Sequence, residues 1–190
     1  MAKVGIKCLT YAKVTGGGDG SAMVYSDGKM LEDYLCKAEL KENRSKQQEF
    51  ADDHQIDGEN ALNNVSLLLE LANNCESIKT DMLGHEAEGD DLIVTGDDAP
   101  FVGVGYITKN RFKGTVTFEP YWVYKIQMGS DGVNAETRKE NAQWGHENLS
   151  GDGLGVVLTE GGKTYFYAHR DGLESESLAK TWLKNKAGIT

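Results

Sequence analysis

Proline is nearly absent from this chain of 190 residues, with two copies against twenty-three glycines. Turns therefore fall mainly to glycine. Asp-Gly recurs at Asp19-Gly20, Asp27-Gly28, Asp57-Gly58, Asp131-Gly132, Asp152-Gly153 and Asp171-Gly172. Each pair lies between runs able to form strands, which is the punctuation of a hairpin-rich fold. Cysteine is scarce as well: Cys8, Cys36 and Cys75 form an odd set without a CxxC spacing. That excludes a disulfide framework and a zinc knuckle, and it fits a reducing compartment. No run of about 18 apolar residues occurs, and Met1-Ala2-Lys3-Val4-Gly5 lacks the apolar core of a signal peptide. The expectation is a soluble protein made in the cytoplasm, with no membrane partner.

Basic charge is also in deficit. Twenty Lys and Arg face thirty Asp and Glu, a formal net charge of −10. Gripping a nucleic-acid backbone or an anionic bilayer needs a basic face, so both are disfavoured. A surface that nucleic acid slides past without sticking is compatible with this charge, as is an ordinary acidic soluble protein. Catalytic signatures are missing: there is no Gly-x-Ser-x-Gly, phosphate loop or HExxH. Asp53-x-Gln55-x-Asp57-Gly58 imitates the start of a calcium loop, but its twelfth position is Asn64 rather than Glu, so it reads as a turn. His54, His85, His146 and His169 are too scattered to form a ligand set. No catalytic residue, metal or cofactor is expected, and the chain does not read as an enzyme.

What is present is alternation. Val65, Leu67, Leu69 and Leu71 share one face of a strand over Ala61 to Leu71, with Leu68 the exception. Thr115 to Met128 sets Val116, Phe118, Trp122, Tyr124, Ile126 and Met128 against polar neighbours, and Pro120 suggests an edge or a bulge there. Phe101 to Thr108 carries Gly103 and Gly105 on a nearly bare face, so a helix or a large ring should pack closely against it. Asn73 with Glu76 forms a capping box for a short helix with Cys75, Ile78 and Met82 inward and Gly84 as its stop. A final hairpin is expected around Glu160-Gly161-Gly162. Beyond it, residues 173–187 hold a C-terminal helix with Leu178, Ala179, Trp182 and Leu183 facing inward.

Two hydrophilic tracts are harder to read. Tyr34 to Phe50 has helical propensity but strand period at first, with Tyr34, Cys36, Ala38 and Leu40 on one side. It reads as two polar strands joined near Asn43 to Ser45. Residues 41–60 are then expected as a long polar loop. Ala142 to Leu149 is a second polar strand. Residues 1–20 read as an N-terminal strand followed by a mobile glycine-rich tether, either a sheet edge or an arm that pairs with another chain.

Order and wording together resemble the major tail tube proteins of long-tailed bacteriophages with non-contractile tails. The resemblance spans nearly the whole chain. It is carried by Val4-Gly5-Ile6, by Phe50-Ala51-Asp52-Asp53, and by Glu70-Leu71-Ala72 leading to Met82-Leu83-Gly84-His85. Ala99-Pro100-Phe101-Val102-Gly103-Val104-Gly105-Tyr106 with Tyr121-Trp122-Val123-Tyr124-Lys125 completes it. It implies a single mainly β domain, a sandwich or barrel-like tail tube fold flanked by a short helix, with an added C-terminal helix. It also implies homohexameric rings stacked into a tube that sits in the virion tail after assembly in the host cytoplasm. The implied partners are further copies of the chain, tape measure and tail terminator proteins, and DNA only in transit. The charge of Lys41 to Asn60 and the C-terminal helix with Trp182 depart from the common pattern.

On this basis Lys37, Glu39, Gln143 and Glu147 are lumen-facing candidates. Lys41, Arg44, Lys46, Asp52, Asp53 and Asp57 are candidates for ring stacking, and Val4, Ile6 and Cys8 for an inter-subunit arm. Competing expectations are a tube subunit of a contractile tail or secretion apparatus, and a monomeric β-sandwich binding module with Trp122, Trp144 and Tyr165 as stacking rings.

Overall fold

Runs with a two-residue period become long strands. The computed structural model describes the backbone of residues 2–189 except 52–53, 73–75, 90, 95–97 and 131–145, and the side chains of the same residues apart from 46–51 and 54–59. In chain order the elements are β1 (Ala2–Gly16), β2 (Val24–Leu31), β3 (Leu35–Ala51), β4 (His54–Leu71), helix α1 (Glu76–Leu83), β5 (Glu86–Glu88), β6 (Asp91–Ile93), β7 (Phe101–Phe112) and β8 (Thr115–Ser130). They continue with β9 (Glu147–Gly153), β10 (Val156–Val157), β11 (Thr164–Tyr165), β12 (Tyr167–His169) and helix α2 (Glu176–Ala187). The protein is mainly β with a short helix and a C-terminal helix, as the alternation requires.

One antiparallel sheet runs in the order β2-β1-β7-β8-β9-β4-β3, with β12 added along β8. β8 holds it together. Its one side pairs with β7 from Thr115 to Gln127, while its other side is shared between β12 at Tyr121–Val123 and β9 at Ile126–Ser130. The sheet rolls, so that β1 and β3, far apart in this order, come back into contact. Val65, Leu67, Leu69 and Leu71 of β4 thereby meet Leu9, Tyr11, Val102, Val104 and Ile126 in an inner core, and Ile78 and Met82 of α1 join them. The opposite face of β1, β7 and β8 packs on α2 as an outer core built around Trp122, Ile107, Ala179 and Leu183.

Two bulges divide side chains between these cores. Val104 pairs with Val123 but Val102 pairs with Ile126, so β8 holds one extra residue there. Trp122 and Tyr124 consequently lie in the outer core, whereas Ile126 and Met128 lie in the inner one. The single apolar face expected from Val116 to Met128 is thus two faces. Pro120 does not end the strand; β8 runs through it, and its carbonyl accepts from the Arg170 N–H. In β1 the extra residue falls between Lys7 and Thr10, where Cys8 takes a left-handed φ of 53°. Cys8 is turned to the outer core while Leu9 goes inward, and burial pushes its thiol up to about 11.

The bare face of β7 is filled as its glycines require. A Cβ on Gly103 would collide with the Trp122 ring and with Tyr25, and one on Gly105 would lie 2.7 Å from Leu183, Trp122 and the Tyr121 carbonyl. Tyr25 meets the indole edge-on at 87° and accepts its N–H at 3.2 Å. Helix α2 starts at Ser175, whose hydroxyl accepts from the Leu178 N–H, and ends at left-handed Gly188. Ala179, Leu183 and Ala187 form its inward stripe at four-residue spacing. Leu178, expected inward, falls off that stripe and is 53% exposed, and Trp182 is half-buried.

Helix α1 ends at Gly84, with a φ of 72°, as its sequence anticipates. Asn73 and Cys75, the expected cap and stripe residues, lie outside the described residues. Asp81 was not foreseen. Its carboxylate lies between Lys13 (2.8 Å) and Lys29 (2.6 Å) and accepts from the Tyr11 hydroxyl (3.3 Å), joining α1 to β1 and β2. Burial opposes its ionisation, but the bonds to Lys13 and Lys29 outweigh that and hold its pKa below the ordinary value.

Two outcomes are expected. Gly105→Ala should cost about 1–3 kcal/mol in denaturant unfolding, since the Tyr121 backbone cannot retreat and Leu183 must. Asp81→Asn should cost about 1–3 kcal/mol at neutral pH. Because folding depresses the Asp81 pKa, its contribution is complete above the ordinary aspartate range and is lost as pH falls through the folded value. The gap between wild type and variant should therefore close in acid, and a gap independent of pH would contradict the ion-pair account.

Candidate assembly surfaces

Register decides which polar residues share a surface. Across β3, β4 and β9, Glu39 pairs with Leu68 and Leu68 with Ser150, while Lys37 pairs with Glu70 and Glu70 with Asn148. These positions point away from the inner core, which Ala38, Leu40 and Leu149 face. Glu39 is held between Lys37 (3.2 Å) and Lys41 (2.9 Å), and these two cations lower its pKa. Beside them Asn43 donates to Ser66 (2.7 Å), whose hydroxyl donates to Asp152 (2.7 Å). The result is one polar, laterally hydrogen-bonded sheet face.

Lys37, Glu39 and Lys41 therefore lie together. Glu147 does not join them. It pairs with Leu71 and shares the parity of buried Leu149, so it turns to the other side, where Lys79 lies 3.9 Å away and Ser130 donates to it at 3.5 Å. Asn148 and Ser150 occupy the outward positions instead. Gln143 lies outside the described residues.

Residues 41–60 are not a loop. β3 is one continuous strand with a register shift at Asn43 and Arg44, and it pairs with β4 out to Ala51 and His54. Charged residues do not prevent strand formation, because the cross-strand ladder satisfies the backbone whatever the side chains. Beyond Val65, β4 has no described pairing with β9, so among the described residues Asn43–Ala51 and His54–Asn64 pair only with each other. Nine residues at about 3.3 Å each make this ribbon roughly 30 Å long. Lys41 belongs to the polar face at the ribbon's base, and Arg44 bonds Glu42 at 2.8 Å. Lys46 and Asp57 lie within the paired strands, with their side chains outside the described residues, as are Asp52 and Asp53 altogether. At the base, Glu42 accepts from the Tyr167 hydroxyl (2.7 Å), which ties β3 to β12 across the roll. Burial first, and then Glu42, raises the Tyr167 pKa to about 12.

The N-terminal residues are not a free arm. β1 pairs with β7 from Ala2 to Lys13 and with β2 from Leu9 onward; of the three arm candidates Cys8 is buried, Ile6 packs on the inner core and Val4 is exposed. Alternation alone does not distinguish a strand with one neighbour from one with two. The glycine tether is pinned as well. Gly20 donates to the Val157 carbonyl and Val157 donates to Gly18, both at 2.8 Å, while Gly17 and Gly18 have left-handed φ values. Open edges remain on β3 and β2, and on β1 over Ala2–Lys7, where β7 is the described partner.

No protein-family model matches this chain, and no curated protein matches it in sequence. Among the described residues no helix is long and apolar enough to cross a membrane. Of the rings considered for ligand stacking, Trp122 is fully buried, Tyr165 is 41% exposed, and Trp144 lies outside the described residues. The expected hairpin around Glu160 to Gly162 is present as β10 and β11, but Tyr167 and Ala168 leave it to pair with β8.

Among the ribbon's described side chains Leu62, at its base, packs on the inner core, and two-stranded hairpins are marginal in water. In the isolated protein, hydrogen exchange should therefore be at least about 100-fold faster over residues 44–62 than over Leu67–Leu71. Equal protection across both spans would show that the ribbon is already supported within one subunit.

Proposed function

We propose that this chain is a structural subunit, not an enzyme, of the tail tube of a long-tailed, non-contractile bacteriophage. Hexameric rings of it stack into the conduit that DNA crosses at ejection. The β3–β4 ribbon is the observation that carries this reading. It extends well past the last β9 pairing, and its sequence is rich in charged and amide residues. Its outer edges, of a kind that isolated proteins normally cover, have no strand partner among the described residues. Packing on a neighbouring subunit would bury it and pair its edge. The polar face of β3, β4 and β9 supports the same reading, because a tube wall needs strands with the protein core behind them and water in front. Lys37, Glu39, Asn148 and Ser150 are the residues this face would present to a lumen. A net charge of −10 per subunit suits a passage that must not retain a polyanion.

The alternative within the same architecture is a tube subunit of a contractile tail or secretion apparatus. Both readings require tubes, whereas a binding module requires none. Negative-stain microscopy of concentrated protein should show tubes of stacked rings. Replacing residues 43–64 by an Asn-Gly turn between the cross-strand partners Glu42 and Val65 keeps the register of the remaining hairpin. That variant should remain folded by circular dichroism and form no tubes. Tube growth by the shortened chain would remove the ribbon from the mechanism, and absence of tubes from the intact chain under all conditions would favour a monomeric module.

A further inference from the structure

β12 brings a histidine beside two carboxylates that are distant in sequence. Tyr167, Ala168 and His169 pair with Val123, Trp122 and Tyr121, which sets His169 at the rim of the inner core next to Glu119. Stacking fixes the imidazole plane: Tyr106 lies on Tyr121 at 5.2 Å and 14°, and Tyr121 on His169 at 5.5 Å and 13°. Nδ1 of that ring then lies 3.2 Å from Glu119 Oε1 and 3.0 Å from Asp171 Oδ1. All three donor atoms fall within 4.8 Å of one another. One ring N–H can point fully at only one of these oxygens; the Asp171 contact has hydrogen-bond geometry, and the Glu119 contact is a close approach beside it.

The surroundings of Glu119 point the same way. The Tyr121 hydroxyl donates to Oε1 (2.5 Å), and Asn110 donates its Nδ2–H to Oε2 (2.9 Å). Asn110 is only 5% exposed, and its Oδ1 has no hydrogen-bond partner. A buried amide is thus aimed at this carboxylate and orients it, the outer support that metal-binding carboxylates characteristically have. The Lys3 ammonium donates to the same Tyr121 hydroxyl at 3.2 Å, and the Glu119 side chain is 13% exposed. Around an ion with bonds of about 2.0–2.2 Å, neighbouring donors are separated by roughly 3.0–3.5 Å. The two measured separations from Nδ1 already have that value.

We propose that Glu119 Oε1, His169 Nδ1 and Asp171 Oδ1 bind one divalent transition-metal ion, zinc foremost, with water completing its shell. An imidazole donor with two carboxylates suits zinc better than calcium, which needs six to eight oxygens. The ion would join β8 to β12 and to the segment entering α2. That segment is otherwise held by short pairings, so the metal serves as a staple whether or not the chain forms tubes.

The full chain, stripped of metal by chelation, is titrated with zinc by calorimetry and with cobalt by visible absorption. Asp171→Asn is the principal variant, because that side chain is 76% exposed and no core depends on it; His169→Gln is the second. Wild type should bind one zinc with a rise in thermal midpoint, and it should give a cobalt spectrum of nitrogen and oxygen ligands. Each variant should lose about tenfold or more in affinity while keeping its circular dichroism. Failure of the wild type to bind zinc or cobalt at millimolar concentration would overturn the proposal. So would binding that neither variant weakens, which would locate the ion at a different histidine.

Discussion

A single extra residue in β8, between Val123 and Ile126, is the constraint on which the two-core architecture rests. Without it Trp122, Tyr124, Ile126 and Met128 would all point to one side. With it, the first half of the strand covers helix α2 and the second half covers β4 and α1. The same point divides its hydrogen-bonding edge, with β12 before the bulge and β9 after it. A bulge raises local twist and bends the strand. That bend lets the sheet roll until β3 returns to β1.

Trp122 is the side chain that this arrangement commits most heavily. Its indole fills the space left by Gly103 and Gly105, meets Tyr25 edge-on, and neighbours Leu183. Dispersion and burial both favour so large a ring in so tight a slot. The outer core is therefore fixed by shape, and α2 can sit in one place only. On the opposite layer, α1 is fixed by charge: Asp81 binds Lys13 and Lys29 from two strands at the margin of the inner core. Both helices bury an apolar stripe, and both carry ion pairs to the strands, but that of α1 centres on a nearly buried carboxylate whereas those of α2, Lys7–Glu176 and Lys180–Glu32, are more exposed.

Polar strands play a third role. The far halves of β3 and β4 have only Leu62 described against the inner core, yet the two strands form the longest pairing among the described residues. Backbone hydrogen bonds suffice to shape such a ribbon, but they do not give it a buried face. The functional reading follows from that imbalance between regular structure and missing burial. Residues 41–60 read as a loop in sequence because charge without alternation carries no strand signal. Strand pairing depends on backbone groups that every residue carries, so the side-chain pattern was silent there.

The sequence by itself determined the periods: the buried face of β4, the glycine-lined face of β7, the stops of α1 and α2, and the mainly β class. Those properties are local, because a side chain three or four positions away, or two, decides them. Tertiary structure alone decided which strands neighbour which, where an inserted residue turns a face over, and why Glu147 looks away from Glu39. It also decided that β1 belongs to the subunit's own sheet, interior from Leu9 onward and an edge over Ala2–Lys7, and that Glu119, His169 and Asp171 meet. Those outcomes depend on how segments distant in sequence meet, as with Tyr121 of β8 and His169 of β12, and a one-residue shift turns a side chain to the opposite face. Such a shift leaves no mark in the composition or spacing of either strand alone.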